Sequence, residues 1–378
     1  MPRRTGQRLT GHILTPEGFI DGTIEFDARI TRVHGVPISE AIVNSGDAPR
    51  ILPGFIDTHV HGGGGHDMME GGEAASRIAT LHARHGTTAM LATTMTAPAD
   101  DLRAAFLALA KIRNAPKSHA PIGARLLGVH LEGPYINRNM LGAQPDFARP
   151  LNLDEINALN QIVAIKLITL APEVPGSMEL IAPLCQAGFK VQIGHTAGTY
   201  DDGVAAMARG ASGFTHLFNA MTGFHHRKPG MAGAALAHAE YAEIIPDLLH
   251  VHEGAIHLAL RAIPRLFCVT DSTAAAGMPD GEYRLGRQTV TKCLGGVRLS
   301  DGTLAGSTLT MDQALRNLVQ TLGLSLSEAS MRVSTHAADF LGIADRGRLA
   351  PQAWADIVVL DAKLNLTAVF TEGVALEH

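Results

Sequence analysis

His59 and His61 stand one residue apart at the end of a strand-like run, Ile51-Leu-Pro-Gly-Phe-Ile-Asp57-Thr-His59-Val-His61, and four glycines follow them. In a strand, residues i and i+2 point to the same face, so both imidazoles can reach one metal ion. The glycines let backbone and ligand approach closely. Alone, a His-x-His is as readily two unrelated polar residues at a strand end. Four more candidates each close a short apolar run: Glu132 in Val129-His-Leu-Glu-Gly-Pro134, His195 in Gln192-Ile-Gly-His-Thr196, His216 in Phe214-Thr-His-Leu-Phe218 and Asp271 in Phe267-Cys-Val-Thr-Asp271. Singly, each is as easily a loop acid or a hydrogen-bonded structural histidine.

Together they form a nitrogen and oxygen ligand set. It suits Zn²⁺ first, and Fe²⁺, Co²⁺ or Mn²⁺ as well. There are enough ligands for two ions if Glu132 bridges them. A bound metal lowers the pKa of water to about 7, and a carboxylate beside that water can move its proton to a leaving group. Asp271 is the candidate for that role, and metal-assisted hydrolysis of an amide or related C–N bond is the matching chemistry. A second segment, Phe218-Asn219-Ala220-Met221 through His225-His226-Arg227-Lys228, gathers donors suited to an anion. Backbone N–H groups near Asn219 and Ala220, with Arg227, can hold a phosphate, and His250 adds a further donor.

These residues need elements that bring them together. Alternating apolar and helical stretches predict strands near 54–60, 88–94, 125–131, 164–170, 189–195, 212–217, 243–250 and 266–271. Helices are expected between them, such as 99–112, 154–162, 178–187 and 203–209. Eight such repeats predict an α/β fold, a (β/α)8 barrel, whose chemistry gathers at the carboxyl ends of its strands. Pro246 sits awkwardly inside the seventh strand. Short β-prone runs at both ends predict one small β domain from residues 1–52 and 347–378, around a catalytic barrel over 53–346.

The chain has 378 residues, 46% hydrophobic and 18% charged, with formal net charge −5, which suits a globular protein without a basic surface for nucleic acid. No uncharged apolar run reaches the roughly 18 residues that span a bilayer. The start, Met1-Pro-Arg-Arg-Thr-Gly6, has no apolar stretch behind its charges and reads as no secretion signal. Cys185, Cys268 and Cys293 are odd in number and far apart, so they are expected to be reduced, buried hydrophobes in a cytoplasmic protein. Leu376-Glu377-His378 reads as the stub of an affinity tag.

Seven strings carry a resemblance: Pro53-Gly-Phe-Ile-Asp-Thr-His-Val-His-Gly62, Leu131-Glu-Gly-Pro134, Gly194-His-Thr196, Thr215-His-Leu-Phe-Asn-Ala-Met221, His225-His-Arg227, Val269-Thr-Asp271 and Leu304-Ala-Gly-Ser-Thr-Leu309. The sequence resembles the amidohydrolase superfamily and, within it, the N-acetylglucosamine-6-phosphate deacetylases. The first string marks the superfamily; His-Leu-Phe-Asn-Ala-Met with His-His-Arg is far more specific. The resemblance implies a metal-dependent barrel with a small β-sandwich from both termini, an enzyme that removes acetate from the 2-acetamido group of an amino-sugar phosphate. It implies that Glu132, His195 and His216 bind the better-occupied metal, that His59 and His61 help hold a second, and that Asp271 is the acid/base. Asn219, Ala220, Arg227 and His250 would hold the phosphate. It further implies a homodimer whose partner supplies a phosphate ligand.

Two departures stand out. Where some family members carry a carbonyl-polarising histidine, this chain has Gln144, which donates a neutral hydrogen bond and shifts the burden to the metals. Leu248 replaces a glycine beside His250. Three alternatives remain: a deacetylase for the galactosamine epimer, a cyclic-amide hydrolase or deaminase of the same superfamily, and a scaffold without activity. Lys166 lies at the start of the fourth strand, where a carboxylated lysine would be of no catalytic use, and a scaffold would lack part of the ligand set.

Overall fold

The computed structural model describes residues 6–113 and 123–376. The basic first five residues and the last two of the tag-like end lie outside the described residues. Eight strands build the barrel: β1 (Phe55–Asp57), β2 (Thr87–Thr94), β3 (Arg125–Glu132), β4 (Ile165–Leu170), β5 (Lys190–Ile193), β6 (Gly213–Phe214), β7 (Tyr241–Ile244) and β8 (Arg265–Cys268). Strands β1 to β6 pair in parallel in chain order, and β7 pairs in parallel with β8. The Leu217 N–H donates to the Glu243 carbonyl across the β6–β7 junction at 2.8 Å. A parallel bridge between Val60 and Ser272 joins the ends of β1 and β8 and closes the ring. Strand β2 shows why the pattern lacks alternation: every residue is buried, as a strand covered on both faces demands.

Helices cover the ring: α1 (Ala74–Arg84), α2 (Ala99–Arg113), α3 (Leu153–Ile162), α4 (Ser177–Gln186), α5 (Tyr200–Ala208), α6 (Gly230–His238) and α7 (Glu253–Ala262), with Met311–Arg316 following β8. Their starts are locally encoded. The Asn152 side chain accepts the N–H groups of Asp154 and Glu155 ahead of α3, and Thr199 with Asp202 forms a capping box on α5. Helix α1 buries Ala75, Ile78, Ala79, His82 and Ala83, a stripe at helical spacing.

The structure corrects several sequence expectations. The seventh strand ends at Ile244, not near 250, because Pro246 has no N–H for a ladder. The sixth is two residues long, since His216 leaves extended geometry at φ 29°. Of the three cysteines, Cys268 is buried, Cys185 is half-buried and Cys293 is exposed. Leu376 packs at 8% exposure and donates its N–H to the Val369 carbonyl.

Strands from both ends of the chain share one seven-stranded sheet, in the order Val374–Ala375, Leu366–Thr371, Ile357–Leu360, Arg50–Pro53, Gln7–Thr15, Gly18–Phe26, Ile30–Pro37. One face holds its own core of Ile13, Ile24, Phe26, Ile51, Ile357 and Phe370, while Leu14, Leu52, Val358 and Val369 join the barrel core. A partly buried polar knot ties the two: Glu372 accepts from Arg346 at 2.5 Å and from Arg125 of β3 at 2.7 Å. An unanticipated three-stranded sheet (Gly281–Leu285, Gln288–Cys293, Gly296–Arg298) follows β8. It reaches the barrel mouth through Gln288 Nε2, which donates to the Ala143 carbonyl at 2.6 Å, and the Gly286 N–H, which donates to Asp67 at 2.9 Å.

His82 is fully buried, with Nε2 3.0 Å from the Gly62 carbonyl and 3.1 Å from Ser272 Oγ. Burial pushes its pKa from 6.5 down to about 4. The folded state therefore favours neutral His82. Its contribution is complete above pH 6.5 and is lost as pH falls through 4, on the order of 3 kcal/mol. Denaturant midpoints measured from pH 7 to 4 should fall less steeply for His82→Gln than for the wild type; parallel slopes would refute this.

Candidate active site

The polar strand ends meet at one mouth of the barrel. Glu132 is the last residue of β3. His59 and His61 follow β1, His195 follows β5, His216 follows β6 and Asp271 follows β8. His195, His216 and Asp271 sit at positive φ (47°, 29° and 48°), which non-glycine residues rarely adopt and which turns each side chain inward. The Leu-Ala-Gly-Ser-Thr-Leu string supports this turn. The Ser307 N–H donates to the Asp271 carbonyl at 2.7 Å. Gly306, at φ 64°, passes so close that a Cβ would lie 2.8 Å from that same oxygen.

Three ligand atoms converge on one point. Glu132 Oε1 lies 3.2 Å from His195 Nε2 and 3.1 Å from His216 Nε2, and the two nitrogens are 3.1 Å apart. Donor atoms about 2.0–2.1 Å from a shared ion have edges near this length, so the set fits a divalent cation. A second set adjoins it. His59 Nε2 and His61 Nε2 are 3.2 Å apart, and Asp271 Oδ1 lies 3.5 and 3.3 Å from them. Glu132 spans both sets, with Oε1 3.3 Å from His59 Nε2 and Oε2 3.1 Å from His61 Nε2.

The carboxylates and imidazoles of this centre favour one another's charged forms. Burial alone would raise the Glu132 carboxyl, but His59, His195 and His216 hold it well below its ordinary range. Burial would also raise Asp271; His59 and His61 outweigh it and bring the carboxyl down to about 2. His61 moves the other way. Against the pull of burial, Asp271 and Glu132 lift it to about 9.

A supporting layer was not anticipated from sequence. His195 Nδ1 donates to the Met140 carbonyl at 2.8 Å, and His59 Nδ1 lies 3.0 Å from Glu243 Oε2. His130 packs edge-on against His59, with centroids 4.6 Å apart, and burial holds its pKa well below 6.5. Asp57 accepts from the Thr270 hydroxyl at 2.6 Å and braces β1 against β8. Its signal, and that of Glu243, was an acid inside an otherwise apolar strand.

Gln144 lines the mouth and donates through Nε2 to Glu132 Oε2 at 2.5 Å, while its Oε1 accepts the Thr96 N–H at 2.7 Å. It therefore holds the shared carboxylate. A cavity of about 320 Å³ opens above the cluster, and Asn219, Ala220, His250, Met95 and Leu285 are among its lining residues. His250 sits in a loop beyond β7, hydrogen-bonded to Asp247 Oδ2 at 2.7 Å. Arg227 departs from expectation: it is exposed and lies outside the lining of this cavity, because the loop from Gly223 to Lys228 runs outward.

A metal-binding barrel mouth of this kind is the mark of a class of hydrolases, and the amidohydrolase family model matches residues 50–376. The chain belongs to the amidohydrolase family. It is 39% identical to the N-acetylgalactosamine-6-phosphate deacetylase of Escherichia coli O157:H7, over 96% of each chain. It is 38% identical to the N-acetylglucosamine-6-phosphate deacetylase of Lysinibacillus sphaericus, over 93% of this chain and 91% of the relative. A crystal structure of a Mycobacterium smegmatis N-acetyl-D-glucosamine-6-phosphate deacetylase mutant in complex with N-acetyl-D-glucosamine-6-phosphate superposes with a TM-score of 0.88 at 34% identity. That match covers 98% of this chain and 99% of the other.

Proposed function

We propose that this chain hydrolyses the acetamide of N-acetyl-D-glucosamine 6-phosphate to D-glucosamine 6-phosphate and acetate. The observation that carries the reading is the convergence of Glu132, His195 and His216 beside Asp271, under a cavity of sugar size, in a chain so similar to deacetylases of amino-sugar phosphates. Glu132, His195 and His216 would hold one divalent cation, and His59, His61 and Asp271 would hold a second. Zinc fits these ligands best, and Fe²⁺, Co²⁺ and Mn²⁺ fit the same donor types. When bound, such ions activate water near neutral pH and polarise an amide carbonyl.

The chain's residues do the rest. Asp271 is held as a carboxylate, so it can accept a proton from the attacking water. It returns that proton to the amide nitrogen as the C–N bond breaks, so the sugar leaves as an amine and the acyl group as acetate. Gln144 fixes the shared Glu132. Asn219, the Ala220 backbone and His250 face the phosphate. Arg227, exposed at the surface, serves the cavity of a partner subunit in a homodimer. The barrel over 53–346 carries the site, and the small domain from 1–52 and 347–378 supports it. The protein works in the cytoplasm; among the described residues no helix is long and apolar enough to cross a membrane.

The test is acetate release from the sugar phosphate by purified protein, with loss on chelation. Arg227→Ala should raise KM for the phosphorylated sugar by roughly tenfold or more and leave plain N-acetylglucosamine nearly unaffected; equal effects would remove its phosphate role. The Escherichia coli relative favours a second reading, the C4 epimer N-acetylgalactosamine 6-phosphate as substrate. The ratio of kcat/KM values for the two epimers decides between them.

A further inference from the structure

Glu243 lies on β7, wholly out of solvent, one layer behind the metal-binding atoms. Both of its carboxylate oxygens are engaged. Oε1 accepts from Thr58 Oγ1 at 3.0 Å; Oε2 lies 3.0 Å from His59 Nδ1 and 3.3 Å from the backbone nitrogen of His216. Four imidazoles aim Nε2 at the centre of the site, so each must carry its proton on Nδ1 to ligate there. Their Nδ1 partners differ. That of His195 is a carbonyl, while those of His61 and His216 have no hydrogen-bond partner. Among these four, His59 alone backs onto a carboxylate.

A carboxylate in that position fixes the tautomer and rotation of the ring and strengthens Nε2 as a donor to a metal. It also supplies charge. Two divalent ions held by these sets would bring more positive charge into a dry interior than Glu132 and Asp271 offset, and Glu243 would offset part of the rest one hydrogen bond away. The effect is directed: Glu243 touches the His59 ring but only the backbone of His216.

We propose that Glu243 is the positioning residue that lets the His59–His61–Asp271 set bind its cation, held in place by the Thr58 hydroxyl. The inference rests on the reading of the cluster as a metal centre. It makes occupancy of the second position depend on a residue that touches neither the ion nor the substrate.

The experiment strips the protein with chelator and titrates it with Co²⁺, following visible absorption and cobalt bound per chain. Wild type should fill in two steps. Glu243→Gln should weaken the second step by about 10–100-fold and leave the first in place. Thr58→Val, which keeps every charge, should shift the second step in the same direction by less. A merely structural role would weaken both steps together, and that result overturns the proposal, as does an unchanged second step in Glu243→Gln. If Glu243→Gln does not fold, an unmoved second step in Thr58→Val overturns it. Acetate release separates this proposal from the hydrolase reading. Two cobalt steps with no turnover would sink the hydrolase reading and leave Glu243 its role. Turnover with a single cobalt step would do the reverse.

Discussion

Asp271→Asn will fold, keep the ion held by Glu132, His195 and His216, and lose about 10²–10⁴-fold in kcat. The amide has nearly the carboxylate's shape, so the turn at φ 48° and the bond from Ser307 to the Asp271 carbonyl remain. What disappears is the proton acceptor. The two imidazoles hold Asp271 down to about 2, so it is ionised throughout the neutral range. An uncharged amide cannot accept a proton from water or return one to nitrogen. Steady-state kinetics with elemental analysis of the same sample checks both halves. Normal turnover in the variant would assign the acid/base role elsewhere.

Glu132→Gln should be at least as damaging, for a different reason. Glu132 Oε1 faces three imidazoles and Oε2 faces the fourth. On the proposed metal reading, removing its charge would weaken both cation positions at once. A loss on the order of 10³-fold or more in turnover is expected, since several kcal/mol of transition-state stabilisation leaves with the ions. Chelated wild type should regain activity when Zn²⁺ is returned, and its melting temperature should rise with it. Glu132→Gln should show neither response at the same zinc concentration. Recovery equal to that of wild type would mean that the carboxylate is not shared.

The convergence of these residues was legible because a barrel brings its strand ends together at one mouth, and the apolar runs before Glu132, His195, His216 and Asp271 mark those ends. Strand extents were less legible. A run such as Phe214-Thr-His-Leu-Phe looks extended to its end, yet the chain turns at His216 to aim a ring inward. The three-stranded sheet had a visible signal in Leu285-Gly-Arg-Gln288 between two alternating runs, but no barrel repeat asks for it. Arg227 lies close in sequence to Asn219, which suggested one phosphate pocket; the outward path of the loop depends on packing that no local pattern encodes. Glu243 stayed hidden because an acid within Tyr-Ala-Glu-Ile-Ile has meaning only beside His59, which folding brings there from the opposite end of the barrel sequence.

The seven-stranded sheet sets the order in which this chain can mature. Arg50–Pro53 lies between Gln7–Thr15 and Ile357–Leu360, where Ile51 stands opposite Val359. The last of these strands leaves the ribosome only after the whole barrel has been synthesised. Until then Arg50–Pro53 has an open edge able to pair with another nascent chain. Closing that gap joins segments about 300 residues apart, a slow step whose entropic cost is much smaller once the barrel has already drawn its ends together.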